Sequence, residues 1–146
     1  MEESLTLLNL IKRDFGLGEV DLKTLSPLTL AFVGDCIYDL ILRTVIVERH
    51  NASPNQLHRE KSRLAKAPAQ AEMAEVLQEH LTQEELAVYR RGRNAKSHTT
   101  AKNASVLDYR KATGLEALYG WLYLSGQEER LLQLLRLSLD ELGWRL

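Results

Sequence analysis

The chain has one cysteine, three prolines and eight glycines in 146 residues. A lone thiol, Cys36, makes no internal bridge and no thiolate zinc site, so a disulfide-stapled secreted scaffold is excluded. The four histidines, at 50, 58, 80 and 98, lack the i, i+4 pairing that would argue for zinc. No apolar run approaches the roughly 20 residues that cross a bilayer, and the start, Met1-Glu2-Glu3-Ser4, is acidic where a secretion signal is basic. These absences predict a cytoplasmic protein that does not meet a membrane. What is there is ordinary: hydrophobic residues at 45% and charged residues at 27% are enough for a core and exclude disorder.

No strand alternation, repeat or linker is visible, and apolar residues recur at helical spacing, so the expectation is all-α, with one domain over 1–146. A first helix over 3–15 would bury Leu5, Leu8, Ile11 and Phe15, closed by Gly16 and Gly18. Ser26-Pro27 opens a long helix through about Glu48; Ser53-Pro54 and, more weakly, Ala67-Pro68 open two more, ending near Lys66 and His80. Thr82 with Glu85 has capping-box spacing and predicts a helix to about Arg91. Residues 92–105 lack an apolar period and read as a loop. Thr113 with Glu116 repeats the capping-box spacing ahead of a helix to Leu124, and a last amphipathic helix uses Leu131, Leu132, Leu135, Leu139 and Leu142.

The net charge of -1 hides a segregation. Residues 90–111 hold Arg90, Arg91, Arg93, Lys96, Lys102, Arg110 and Lys111 against Asp108 alone, giving +6 in 22 residues and leaving -7 for the remainder. A second basic stretch runs through His58, Arg59, Lys61, Arg63 and Lys66. Local fields attract partners where averages do not. Asn94, Ser97, His98, Thr99, Thr100, Asn103 and Ser105 add hydrogen-bonding groups suited to phosphate and ribose, so a polyanion is the expected ligand.

Two apolar helices carry isolated acids. Around Asp35, the helix from Ser26 is greasy on nearly every side, which predicts burial. Asp35, Asp39 and Arg43 form one polar line, with Asp39–Arg43 a structural ion pair one turn long. Gly34 in mid-helix costs about 1 kcal/mol relative to Ala, so a close backbone approach is expected there. Glu116 is the single acid of the helix from Thr113, and its spacing also fits the capping box. A carboxylate withdrawn from water pairs, protonates or binds a cation. Beside a basic loop, Asp35 and Glu116 suggest a divalent metal facing a phosphate; Mg²⁺ keeps waters and needs only one or two carboxylates. Among smaller signals, Glu72, Glu75 and Glu79 read as a solvated face, Cys36 as a small buried thiol, and Tyr119, Trp121 and Tyr123 as core.

At these residues the chain resembles a known family. Leu28-Thr-Leu-Ala-Phe-Val-Gly-Asp-Cys-Ile-Tyr38 is similar to the signature helix of the ribonuclease III family, and Thr113-Gly-Leu-Glu-Ala-Leu-Tyr-Gly-Trp-Leu-Tyr-Leu124 to its second acidic helix. Arg91-Gly-Arg-Asn-Ala-Lys-Ser97, with Tyr109 to Leu118, resembles the short, Mini branch of that family; the resemblance spans about 25–125. It implies a helical endonuclease domain that dimerises and cuts double-stranded RNA with Mg²⁺, leaving 5′-phosphate and 3′-hydroxyl ends, with no double-stranded-RNA-binding domain and no nucleotide cofactor. Asp35 and Glu116 fall on two of the family's catalytic metal ligands. Where the larger enzymes have a further Glu and Asp, this chain has Ala31 and Thr113, as the Mini branch does, so the metal count stays open. The basic residues Arg91, Arg93, Asn94, Lys96, Ser97, Lys102, Arg110 and Lys111, with Arg59 and Lys66, would bind the RNA. Precursor 23S ribosomal RNA is the substrate implied by analogy. The rival reading is a non-catalytic RNA-binding or ribosome-assembly factor that keeps the fold.

Overall fold

The structure, a computed structural model, describes residues 6–95 and 105–146, and among these it contains seven α-helices and no strand. They are α1 (Leu7–Asp14), α2 (Pro27–Arg49), α3 (Pro54–Ala65), α4 (Ala67–Leu77), α5 (Gln83–Asn94), α6 (Val106–Leu124) and α7 (Glu128–Leu142). The expected Ser-Pro starts are in place. Ser26 Oγ accepts from the Thr29 N–H at 3.1 Å and Ser53 Oγ from the Gln56 N–H at 3.3 Å, while each following proline sits where no helical N–H is needed. The capping box of α5 is complete: the Glu85 N–H donates to Thr82 Oγ1 and the Thr82 N–H to Glu85 Oε1.

Helix α6 is the hub, packed against α2, α4, α5 and α7. Its buried residues Leu115, Leu118, Tyr119 and Leu122 meet Tyr38 and Leu42 of α2, Leu64 of α3, Met73 and Leu77 of α4, and Leu131, Leu134 and Leu135 of α7. Tyr38 and Tyr119 stack with centroids 5.8 Å apart, and the Tyr38 hydroxyl donates to the Leu64 carbonyl at 2.6 Å, tying α2 to the end of α3. Glu85 stays charged in the interior because Arg130 of α7 grips it through two bonds of 2.8 and 2.9 Å and also donates to the His80 carbonyl. Those bonds, working against burial, hold the Glu85 carboxyl below its ordinary range.

Several sequence expectations are corrected. The region 92–105 is not a loop throughout, because α5 continues to Asn94. Gly92 is helical and serves packing: a Cβ there would stand 2.7 Å from Ala117 Cβ and 2.9 Å from Gly114 Cα of α6. Helix α6 begins two turns before Thr113, capped by Ser105, whose Oγ accepts from the Asp108 N–H at 3.0 Å. Thr113 lies mid-helix, and its hydroxyl donates to the Tyr109 carbonyl instead of capping anything. In α1, Leu8 is buried but Ile11 and Phe15 are exposed, and in α7 Leu132 is half exposed; Leu5 lies outside the described residues. Trp121 and Tyr123 are only partly buried, whereas Tyr119 is fully so. Cys36 is exposed, not buried, because it belongs to an outward stripe of α2 with Phe32, Leu40 and Val47. Glu72, Glu75 and Glu79 lie on a solvated face as expected.

Candidate active site

The site starts from two glycines. A Cβ at Gly34 would overlap the Glu116 carbonyl oxygen and stand 2.9 Å from the Gly120 nitrogen; a Cβ at Gly120 would overlap the Leu30 carbonyl. The α2 and α6 backbones therefore cross in direct contact, which only residues without side chains permit. The close approach expected at Gly34 is that of α6. It sets Asp35, the residue after Gly34, beside Glu116.

The two carboxyls share one environment unequally. Asp35 is exposed, contrary to the expectation of two acids withdrawn from water, while Glu116 is partly buried. Burial, reinforced by the charge and hydrogen-bonding contact of Asp35, pushes the Glu116 carboxyl up to about 8; the Gln70 amide partly opposes that rise. Two facing carboxyls, one forced toward neutrality, suit a cation placed between them. Among the described residues no third His, Cys, Asp or Glu joins them. Such a pair fits Mg²⁺, which retains most of its waters, better than ions that demand a full protein cage.

Asp39, one turn on, belongs to a separate network. Arg43 Nε reaches it at 2.6 Å, as expected, and Lys61 of α3 adds a second contact at 3.1 Å. Burial alone would raise the Asp39 carboxyl, but the hydrogen bonds and charges of Lys61 and Arg43 hold it below its ordinary value. A groove of about 740 Å³ runs past these groups, and Asp35, Asp39, Lys61, Phe32, Ile37 and Leu40 are among the residues that line it.

Gln70 is a neighbour missed by sequence reading, whereas Lys61 reads there as part of the second basic stretch and not as a partner of Asp39. Gln70 is 3% exposed, and its Nε2 donates to the Ala65 carbonyl at 2.9 Å. The signal was a polar residue on the apolar face Ala69, Met73, Ala74, Leu77 of α4. Lys66, a candidate RNA contact, caps α4 and accepts the Gln70 N–H at 3.1 Å, one turn from this site. Arg59 is exposed on α3. Arg91 and Asn94 are exposed at the end of α5, and Arg93 lies 5.8 Å over the Tyr89 ring. Arg110 is exposed on the second turn of α6. Lys111 is not a free cation: its Nζ is 2.7 Å from Glu75 of α4. Lys96, Ser97 and Lys102, with His98, Thr99, Thr100 and Asn103, lie outside the described residues.

An all-helical fold whose two acids meet across a glycine crossing agrees with the family comparison: the ribonuclease III domain matches residues 28–127, and the chain belongs to that family as a ribonuclease III-type endoribonuclease. Within the family, its relatives include proteins named Mini-ribonuclease 3. The protein of that name from Clostridium tetani is 42% identical over 133 residues, covering 88% of both chains. The one from Thermoanaerobacter sp. is 51% identical over 117 residues, covering 80% of this chain and 82% of the relative. A crystal structure of a Fusobacterium nucleatum protein superposes with a TM-score of 0.76 at 26% identity, covering 84% of this chain and 98% of that one. Among the described residues, no helix is long and apolar enough to cross a membrane.

Proposed function

We propose that this endoribonuclease cuts double-stranded RNA with Mg²⁺, as a cytoplasmic homodimer, leaving 5′-phosphate and 3′-hydroxyl ends, and that the ends of precursor 23S ribosomal RNA are its substrate. The observation that carries the reading is the Asp35–Glu116 pair, held face to face by the Gly34–Gly120 crossing. Asp35 and Glu116 would hold the cation; bound there, Mg²⁺ supplies the charge that polarises a phosphate and acidifies water. The remaining work falls to the chain. Glu116 orients from inside the fold, Asp35 meets solvent and substrate, and the exposed Arg59, Lys66, Arg91 and Arg110 contact phosphates.

Support for the dimer comes from the exposed apolar stripe of α2. Phe32 is 81% exposed, and Leu40 and Val47 continue its face, next to Leu7 and Ile11 of α1. Burying a Phe contributes about 1.5–3 kcal/mol, so a second copy covering this stripe on both chains gains substantially. Two sites related by a twofold axis would then face the two strands of a duplex.

The rival, a non-catalytic RNA-binding factor, draws on Ala31 and Thr113, which are buried residues that offer no carboxylate. One experiment separates the two: a perfect RNA duplex incubated at low salt with Mg²⁺ or with EDTA. Cutting in Mg²⁺ alone, with 5′-phosphate ends, is expected. A duplex left intact in Mg²⁺ would leave the binding factor as the reading.

A further inference from the structure

We propose that Lys61 binds the RNA phosphate next to the one cut at Asp35, with Asp39 as the positioning residue that aims its ammonium; the proposal rests on the reading of this site as a nuclease for double-stranded RNA. Folding does not account for Lys61. Asp39 already has a partner one turn along its own helix, since its Oδ2 accepts from Arg43 Nε at 2.6 Å. Lys61 of α3 nevertheless brings a second cation to Oδ1, at 3.1 Å, with its side chain only 13% exposed. Withdrawing a cation from water is costly unless its partners compensate, and here one carboxylate serves two cations. The trio keeps one positive charge. A one-to-one pair such as Lys111–Glu75 keeps none.

What the surplus charge meets follows from its surroundings. An ammonium has three donors. Among the described residues Lys61 makes no ion pair or hydrogen bond other than that to Asp39, so donors remain for a ligand. Lys61 and Asp35 line the same groove of about 740 Å³, so a strand that reaches Asp35 enters the space that Lys61 lines. Asp35 and Asp39 are four residues apart on α2, about 6 Å along its axis, which is also about the spacing of neighbouring phosphates in one RNA strand. Lys61 lines a second groove too, of about 210 Å³, with Arg43 and His58, so the cations continue beyond it. The ligand this chemistry fits is a phosphodiester, because a compact point charge contacts phosphate without regard to sequence. Without Asp39 that charge would ride on a flexible four-carbon stem; the carboxylate fixes it.

The test uses the full chain and a perfect RNA duplex, with binding measured against KCl in EDTA and cutting at saturating duplex in Mg²⁺. Lys61→Met keeps the apolar stem and leaves Asp39 paired with Arg43. Its slope of log affinity against log salt should be shallower than that of the wild type by about 0.7–0.9, one phosphate contact. A wild-type slope would make Lys61 a counterion of Asp39 only and overturn the proposal. Asp39→Asn removes a negative charge, so it should bind duplex at least as tightly as the wild type. Its kcat should nevertheless fall about tenfold, as the ammonium loses its aim. In the Lys61→Met background the same change should lower kcat no further. An equal fall there, or a wild-type kcat for Asp39→Asn alone, would refute the positioning role. Should Lys61→Met not fold, lysine acetylation of the wild type decides. Duplex should protect Lys61, and equal labelling with and without duplex would overturn the contact. A wild type that leaves the duplex intact in Mg²⁺ would overturn the nuclease reading and this proposal with it, whereas failure of this proposal alone leaves wild-type cutting in place.

Discussion

Gly34 of α2 lies against the backbone of Glu116 in α6, so the residue before one acid is the contact surface for the other. This predicts an inverted response to a normally stabilising substitution. In most helices Gly→Ala gains about 1 kcal/mol. Here the added methyl overlaps the Glu116 carbonyl, and forcing the helices apart costs more than the propensity returns, since overpacking alone costs about 1–3 kcal/mol. Gly34→Ala should lower the melting temperature by several degrees and reduce duplex cutting even where the variant is folded. A melt above the wild type would show that the crossing is looser than described.

The metal-free protein should lose stability as pH rises. Glu116 is held up to about 8 when folded, against 4.5 for the ordinary carboxyl. Between those values the folded state keeps the proton and the unfolded chain has released it. Stability is then highest toward pH 4.5 and falls toward 8, with a limiting slope of about 1.4 kcal/mol per pH unit for one proton. Urea midpoints measured in EDTA from pH 5 to 8 should show this fall. Asp35→Asn should flatten it, because it removes a neighbouring charge and leaves only burial; the same variant should stop cutting while still binding duplex. Parallel wild-type and Asp35→Asn curves would refute the coupling of the two carboxyls.

Much of this fold was legible locally, because Ser26-Pro27, Ser53-Pro54 and Thr82 with Glu85 each satisfy their own helix start within four residues. Errors arose where a residue answers to a distant partner. Gly92 reads as a stop signal, but it stays helical because Ala117 and Gly114 press on it. Thr113 mimics a cap, yet the true one is Ser105, and the intervening turns show no apolar period because Val106 and Leu107 face outward. The pairing of Asp35 with Glu116 was anticipated as chemistry, not as geometry. Gln70 could be read only as a lone polar residue on the apolar face of α4, and that signal does not say which groups its amide meets.

Removing Arg130 should be among the most damaging single changes away from the site. Glu85 is 3% exposed, caps Thr82 and takes two bonds from Arg130. Arg130→Met strands that carboxylate, and breaking a buried pair from one side costs about 3–5 kcal/mol. Glu85→Gln in the same background should recover part of the loss, as read from urea midpoints. A midpoint within error of wild type for Arg130→Met would mean that the pair contributes nothing.

Phe32→Glu should dissociate the dimer. The side chain is exposed in one copy and makes no contact that the fold needs, so the variant should melt as a monomer with intact helices. Sedimentation of the wild type at micromolar concentration should give twice the chain mass of 16.6 kDa, and the variant 16.6 kDa. A wild type that sediments at the single-chain mass would remove the dimer from the proposed function.

The salt dependence of duplex binding should separate free cations from tied ones. Each phosphate neutralised contributes roughly -0.7 to -0.9 to the slope of log affinity against log salt, so engagement of Arg59, Lys66, Arg91 and Arg110 gives a slope near about -3. Arg91→Ala should make it shallower by about 0.8. Lys111 is different: its ammonium already sits 2.7 Å from Glu75 with its side chain 20% exposed, so its counterion is part of the protein. Lys111→Ala should therefore leave the slope unchanged while lowering stability slightly. If Lys111→Ala and Arg91→Ala shift the slope equally, the Lys111–Glu75 pair opens on RNA and the basic surface is larger than the free chain displays.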